Sequence, residues 1–431
     1  MMTRNKWGIV LFILFLVTFR TLFGIHINFN HEDYTQIYLI GLEDAFSGNW
    51  SYWGPDVVWS KTRLPGALQG LLVGVPIQLT GNMYSPIILS NIIAATGLVM
   101  FAFYAKKRFP KLSIYFLLAL LLLFPFGLFN GAVLLNTAYL IFAGSIFFIS
   151  VFELFMYREK LLYKPAVYFF LIGFSFLITF QLHLTWVMFV PFILVLVYLD
   201  IKKVPKDWWK PLLFIFLGCL LSGLPFFPTL FKYGNVMMNN AEGNLLLDFG
   251  RIASSFDLLI RYIGIATFDI TRRDEVKLAL EKSTLVVISI WIIKIYTFAQ
   301  FAGICISLFF VDKSKEFKRT MLLFLLTFIM ALCMYIMSNK NLDIRTYILL
   351  FPLPIWLSFY AYNYLAKFRF VKVILNSSLV VLFVAMFGVG AMNYNEIYSF
   401  KAVEDKINRA IENEDPDEFG KRRSTIMDQY N

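Results

Sequence analysis

NHEDYTQIYLIGLEDAF, residues 30–46, places two adjacent carboxylates, Glu32 and Asp33, directly after an apolar run. From Asp33 to Phe46, the residues Tyr34, Ile37, Tyr38, Leu42, Ala45 and Phe46 recur at helical spacing, while Gln36, Glu43 and Asp44 fall off that stripe. A helix patterned this way lies along a membrane surface with its apolar side down. The run before it, Trp7 to about Ile27, follows MMTRNK, exceeds a signal-peptide core in length and has no small-x-small cleavage site nearby. It reads as a retained membrane helix. The acid pair therefore stands where the chain leaves the membrane and lies down on the far surface.

The rest of the chain has the same character. Its 431 residues are 59% hydrophobic and only 16% charged, more apolar surface than one water-soluble core could absorb, so the fold class is an all-α polytopic membrane protein. Cys219, Cys305 and Cys333 all lie in apolar runs without paired spacing and read as small hydrophobes rather than disulfides or metal ligands. The net charge of +11 is gathered in short clusters between apolar runs, as topology determinants are, which argues against a nucleic-acid partner.

A crossing helix needs roughly 20 apolar residues for a hydrocarbon core of about 30 Å. After the first helix, candidates follow at about 85–105, 112–129, 137–156, 164–181, 184–200, 210–230, 290–311, 320–337, 346–364 and 371–392, which makes eleven. Basic junctions (RNK, KKRFPK, YREKLLYK, DIKKVPKDWWK, DKSKEFKR, AKFRFVK) alternate with nearly uncharged ones such as FNGAVLLN and TFQLH. That alternation places the N-terminus and the basic junctions in the cytoplasm. It holds only if LPGALQGLLVGVPIQLT, residues 64–80, does not cross; with Pro65, an internal Pro76 and a reach of about 24 Å, it reads as a second interfacial or re-entrant helix. Gly66, Gly70 and Gly74 fall four apart on one face of it and suggest close packing on a neighbour. The organisation expected is a membrane domain over 1–392, with outer loops 28–84 and 231–289, and a polar outer tail over 393–431. In that tail Phe400, Val403, Ile407 and Ile411 keep helical register before EDPDEFG.

Polar groups out of place in such a chain collect on the outer side. They are Glu32 and Asp33; Arg63; Asn136; Gln181 and His183 in TFQLHLTW; Lys294 in WIIKIY; and Arg345 with Tyr347 in DIRTYILLFPLP. Each has an ordinary reading: Asp33 and Asn136 as helix caps, His183 as a hydrogen-bonded interface residue, Lys294 as a snorkelling lipid anchor, and Arg63 and Arg345 as ligands of lipid phosphate. What favours a site is that six separated segments contribute to one depth. Walker loops, zinc spacings and serine nucleophile elbows are absent from the sequence. His26 and His31 flank the acids, so a divalent metal is conceivable there, but no ligand spacing supports one. Asp415 to Asp417, DPD in the tail, reads as a solvated turn.

The order of these features resembles the GT-C superfamily of integral-membrane glycosyltransferases, the group that includes the lipid A aminoarabinose transferases and protein O-mannosyltransferases. The family pattern of a first helix, an outer loop opening on an acidic pair, two interfacial helices and a bundle is similar to HEDYTQIYLIGLEDAFSGNW followed by RLPGALQGLLVGVPIQLTG and a crossing that ends YAKKRF. LLNTAYL resembles the family's asparagine motif, QLHLT with Pro191 its Gln-x-His motif, and RTYILLFPLP its late Tyr and Pro motif. Two departures stand out: the acids run Glu32 then Asp33 instead of Asp then Glu, and Thr137 and Ala138 follow the asparagine in place of an acid or proline. The resemblance implies inverting transfer of a sugar from a polyprenyl-phosphate donor to a lipid, glycan or protein acceptor outside the cytoplasm of a bacterial inner (plasma) membrane. It implies Asp33 first, and Glu32 second, as the base; Arg63, Arg345, Lys294 and His183 on the phosphate; Asn136, Gln181 and Tyr347 as orienting groups; and no obligatory metal.

Two other classes stay open at this stage. A lipid-linked sugar flippase or secondary transporter keeps ionisable groups near the bilayer midplane and tends to show repeated halves, and neither is evident. An O-antigen polymerase or ligase would place its chemistry in RYIGIATFDITRRDEVK, residues 261–277, and would leave the acid pair without a task.

Overall fold

A computed structural model of the chain describes residues 2–26, 36–38, 40–42, 50, 52–57, 62–239, 284–311, 313–337 and 344–393. The acid pair, the segment 261–277 and the tail beyond Asn393 lie outside these residues.

The first helix, α1 (Met2–His26), is long and apolar enough to cross a membrane over Lys6–His26, as expected. The outer loop that follows is helical at 36–38 and 40–42, with Ile37, Tyr38 and Leu42 buried, in keeping with the apolar stripe. It then forms an antiparallel hairpin of β1 (Trp53–Val57) and β2 (Thr62–Pro65), which the hydrophobic pattern does not suggest. Next comes α2 (Leu68–Thr80), a 13-residue helix with Pro76 inside it, too short to cross. The Tyr38 hydroxyl donates to the Met83 carbonyl at 2.8 Å. Gly41 lies so close to α2 that a Cβ there would meet the Val73 side chain at 2.4 Å. The close packing expected of the glycine face is thus made at Val73 and Gly74, against Gly41.

The bundle continues with α3 (Ser85–Arg108), α4 (Ile114–Leu123) and α5 (Pro125–Gly131), α6 (Asn136–Val151), α7 (Pro165–Leu182), α8 (Val190–Lys203), α9 (Trp209–Ser222) and α10 (Phe227–Asn239). After residue 283 come α11 (Thr284–Phe310), α12 (Lys315–Met337), α13 (Pro352–Leu365) and α14 (Arg369–Asn393). Prolines explain the breaks, because a proline removes one backbone donor and crowds the preceding turn. The chain bends by 49° between α4 and α5, at Phe124–Pro125, and by 91° between α9 and α10, at the turn that holds Pro225. Among the described residues seven helices are long and apolar enough to cross a membrane, or nine if each bent pair is one span. The expected segments 290–311 and 320–337 correspond to α11, which ends one residue earlier at Phe310, and to part of α12; that count includes neither helix.

Lipid tails offer no hydrophobic drive between helices, so the bundle holds by close packing and internal polar bonds. The tightest pair is α7 with α9. A Cβ on Gly173 would stand 2.0 Å from the Ile215 carbonyl oxygen, and one on Gly218 2.1 Å from that of Phe170. Leu220, Leu221 and Phe216 on α9, and Val380, Val384 and Phe387 on α14, turn outward and are exposed, as suits an apolar solvent. At the basic end, buried Glu153 accepts from Nε and Nη2 of Arg108, from the Leu162 amide at 2.9 Å and from the Tyr168 hydroxyl at 3.0 Å. The guanidinium also stacks 3.9 Å from the Tyr157 ring centre. A buried ion pair is tolerable when every lone pair is occupied in this way.

Gly218→Leu should destabilise the folded protein in detergent by about 3 kcal/mol, the upper end for overpacking against backbone. Gly81→Ala, at a left-handed position (φ 63°) with no atom within 4 Å of the added carbon, should cost about 1 kcal/mol from backbone strain alone. Thermal unfolding followed by size-exclusion recovery separates the two.

Candidate active site at the outer end of the bundle

The hairpin is the element that builds this end. Its register pairs Val57 with Thr62, Asp56 with Arg63 and Trp53 with Pro65, with an irregularity between Trp53 and Asp56. Arg63 therefore sits on a strand, opposite Asp56, and not at the head of the second interfacial helix as the sequence suggests; Pro65 ends the strand and the helix begins only at Leu68. Gly66, between them, takes φ 109°, a conformation side chains rarely adopt, so it belongs to the turn and not to the glycine face of α2.

That turn is clipped from two sides. The Gly66 amide donates to the Tyr52 carbonyl at 3.0 Å, and the same carbonyl accepts from the Thr229 hydroxyl at 2.6 Å. The Ala67 amide donates to the Pro225 carbonyl at 3.2 Å. The hairpin is thereby fastened to the sharp turn between α9 and α10.

Gln181, in the last turn of α7, lies beneath it and is fully buried. Its amide nitrogen donates to the Ser222 carbonyl at 2.9 Å and to the Leu177 carbonyl at 3.2 Å. Ser222 ends α9, so its carbonyl has no partner within its own helix, and Gln181 supplies one. The amide oxygen faces Gly66, where a Cβ would approach it to 2.8 Å. Both donors of Gln181 are thus committed to the protein, and its oxygen is buried against the hairpin turn.

His183 follows in an extended conformation (φ −163°, ψ 141°) and caps the 3-10 segment Leu184–Phe189. Its Nδ1 accepts from the Thr185 amide at 3.2 Å and lies 3.0 Å from the Thr185 hydroxyl. An imidazole nitrogen that accepts from a backbone amide carries no proton, so the ring hydrogen of the neutral form belongs to Nε2. The ring is half-buried.

Asn136 opens α6 and is half-buried, after a turn in which the Thr137 hydroxyl donates to the Asn130 carbonyl at 3.0 Å. Tyr347 is buried in a second 3-10 segment, Ile344–Leu350. This segment lies hard against α6, since a Cβ on Gly144 would be 2.6 Å from the Leu349 carbonyl oxygen. It also touches the segment that follows His183, whose Phe189 ring stacks 3.5 Å from Phe147 of α6. Arg345 shares the turn with Tyr347, and only its backbone is described, as is the case for Arg63. Lys294 stands on an exposed face of α11 with its ammonium 4.8 Å from the Trp291 ring centre, an arrangement that fits a lipid-facing anchor. The hairpin that carries Arg63 thus packs on the last turn of α7, which holds Gln181 and leads into His183; the segment that holds Tyr347 packs on α6 and touches the 3-10 segment after His183.

Two buried charges escaped the reading of the sequence. Arg20 is fully buried in α1 and donates through Nη2 to the Gly127 carbonyl of α5 at 2.8 Å, and Glu153 is described above. A charge inside an apolar run, VTFRTLF or SVFELF, is the signal that marks both. Among the described residues no group of three or more His, Cys, Asp or Glu side chains is placed to hold a metal ion.

No family model matches the sequence, and no curated protein sequence matches it. By structure, the chain is similar to ArnT from Cupriavidus metallidurans bound to undecaprenyl phosphate, with a TM-score of 0.51 at 11% identity over 90% of this chain and 76% of that one. The chain has the GT-C fold.

Gly66→Ala should lower thermal stability through two separable effects, the left-handed backbone and the contact with Gln181. In a Gln181→Ala background, itself destabilised by about 1–2 kcal/mol through the lost bond to Ser222, the contact disappears and only about 1 kcal/mol of backbone strain remains. A double-mutant cycle of unfolding midpoints should therefore give a positive coupling between the two positions.

Proposed function

We propose that the protein is an inverting glycosyltransferase that moves a sugar from a polyprenyl-phosphate donor to a lipid, glycan or protein acceptor on the extracytoplasmic face of a bacterial inner membrane. The observation that carries this reading is the GT-C fold, like that of an undecaprenyl-phosphate-bound ArnT, in a chain whose outer loop opens on an acid pair.

The chemistry follows from the groups at the outer end. An acceptor hydroxyl is a weak nucleophile, so a carboxylate within hydrogen-bond reach takes its proton as attack on the anomeric carbon develops; Asp33 has that role, with Glu32 the second choice. As the glycosidic bond breaks on the opposite face, negative charge grows on the lipid phosphate. Arg63 and Arg345 answer it as cations, and His183 adds the donor on Nε2. Fixed donors of this kind cost no reorganisation when the charge appears. Asn136 and Tyr347 orient sugar or phosphate oxygens. Gln181 acts at one remove, by setting where the hairpin carries Arg63. Lys294 is the weakest member of the set, because its exposed position fits a phosphate at the membrane rim better than one in the site. A monophosphate leaving group with converging cations and donors needs no metal.

The test is transfer of label from a panel of polyprenyl-phosphate sugars by the purified protein in lipid. Wild type should form a new glycosidic bond from at least one donor, and Asp33→Asn should lower turnover by about 10²-fold or more, the range for loss of a general base. Glu32→Gln should cost less. Movement of label across the bilayer with no new bond would assign the protein to transport. Undiminished product from both variants would remove the acid pair from the mechanism.

A further inference from the structure

The opposite, basic end of the bundle holds a second polar feature with no part in glycosyl transfer. A shallow, open cleft lies between the start of α4 and the start of α14, lined by Lys111, Ser113, Phe116, Lys372, Leu375 and Asn376. It contains two cations and no carboxylate.

Four neighbouring basic residues are committed elsewhere. Lys106 donates to the carbonyls of Pro110 and Leu112, both at 2.7 Å, and so shapes the loop that presents Lys111. Lys107 lies 5.5 Å from the Tyr163 ring centre, Arg108 is bound to Glu153 and the Lys160 carbonyl, and Lys367 sits 4.7 Å from the Tyr364 ring centre. Lys111 and Lys372, on two separate elements, are left facing one cleft. The Ser113 hydroxyl, at the N-cap of α4, makes no capping bond, and Asn376 contributes an amide. The starts of α4 and α14 add the positive ends of two helices.

The cleft also has an apolar continuation. Phe116 and Leu375 line its wall, and Phe370, Val373, Val380 and Val384 form an exposed apolar run along α14 away from it. A free phosphate would use the cations and leave that run unused. A two-chain phospholipid would use both.

We propose that this cleft binds the phosphate of an anionic phospholipid, with Lys111 and Lys372 on the headgroup, Ser113 and Asn376 as neutral partners, and the acyl chains along α14. The site is separate from the proposed reaction and stands whether or not that reaction is correct.

Native mass spectrometry of the delipidated full-length protein, titrated with phosphatidylglycerol or phosphatidylcholine, tests it. Phosphatidylglycerol should give a saturable single adduct that phosphatidylcholine does not. Lys111→Ala with Lys372→Ala should weaken that adduct roughly tenfold or more, in line with the contribution of two basic residues at a membrane surface. Lys111→Arg with Lys372→Arg should retain it, which guards against a folding defect. Lys202→Ala with Lys203→Ala, from another basic junction, should leave it unchanged. Equal binding of the two lipids, equal loss in the Lys202/Lys203 variant, or an adduct that survives the Lys111/Lys372 double substitution would each overturn the proposal. Displacement of the lipid by inorganic phosphate alone would reassign the cleft to free phosphate and overturn it as well.

Discussion

The Gln181 amide, shared between the Leu177 and Ser222 carbonyls, is the bond on which the outer end of the molecule depends. Where α9 stops, its last carbonyls need donors that lipid cannot supply, and a side chain from α7 can reach one only if the two helices nearly touch. Gly173 and Gly218 allow that approach. Once α7 and α9 are locked, the turn at Pro225 has a fixed place, the Ala67 amide binds its carbonyl, and the hairpin that bears Arg63 comes to rest over Gln181. One helix-end requirement thus propagates through three elements to a candidate phosphate ligand.

Among the described residues, the two buried charges bond at irregular helix positions, Glu153 through both oxygens and Arg20 through Nη2 alone, its Nε and Nη1 having no hydrogen-bond partner. Glu153 has four donors around it, and Arg20 reaches a carbonyl of the short helix α5, next to the bend at Phe124–Pro125 that disturbs the regular ladder. In both, a side chain bonds where a helix is irregular: Glu153 lies in a wider turn at the end of α6, and α5 is only seven residues long. Broken helices in lipid need such partners, and charged side chains supply the strongest ones.

Much of this was legible in the residues. Apolar runs of crossing length locate the helices, and the stripe Ile37, Tyr38, Leu42 predicts the buried face of the first interfacial segment, whereas the bends beside Pro125 and Pro225 fall inside the expected crossings 112–129 and 210–230 and were not anticipated. The hairpin was not legible, because NWSYWGPDVVWSKTRL has no clean alternation; aromatic residues occupy positions of both parities and Pro55 interrupts the first strand. Gly66 misled for a related reason. A spacing of four matches a helix face, yet the Pro65–Gly66 step ends a strand, and only the backbone reveals the left-handed turn. Gln181 was marked as a ligand by its depth and its motif, while the carbonyl that engages its nitrogen is 41 residues away in sequence and could not be anticipated.

That re-reading of Gln181 bears on how a site of this kind divides its labour. Groups that meet developing charge must be held within a fraction of an ångström, whereas the acceptor and its base must come together and part in every cycle. The donors at the outer end are set on rigid supports: His183 by the Thr185 amide, Tyr347 by the contact of its segment with α6, and the backbone of Arg63 by the hairpin over Gln181. The helical residues 36–38 and 40–42, which follow the acid pair in the sequence, are anchored separately, at Gly41 and Tyr38 against α2 and the turn after it.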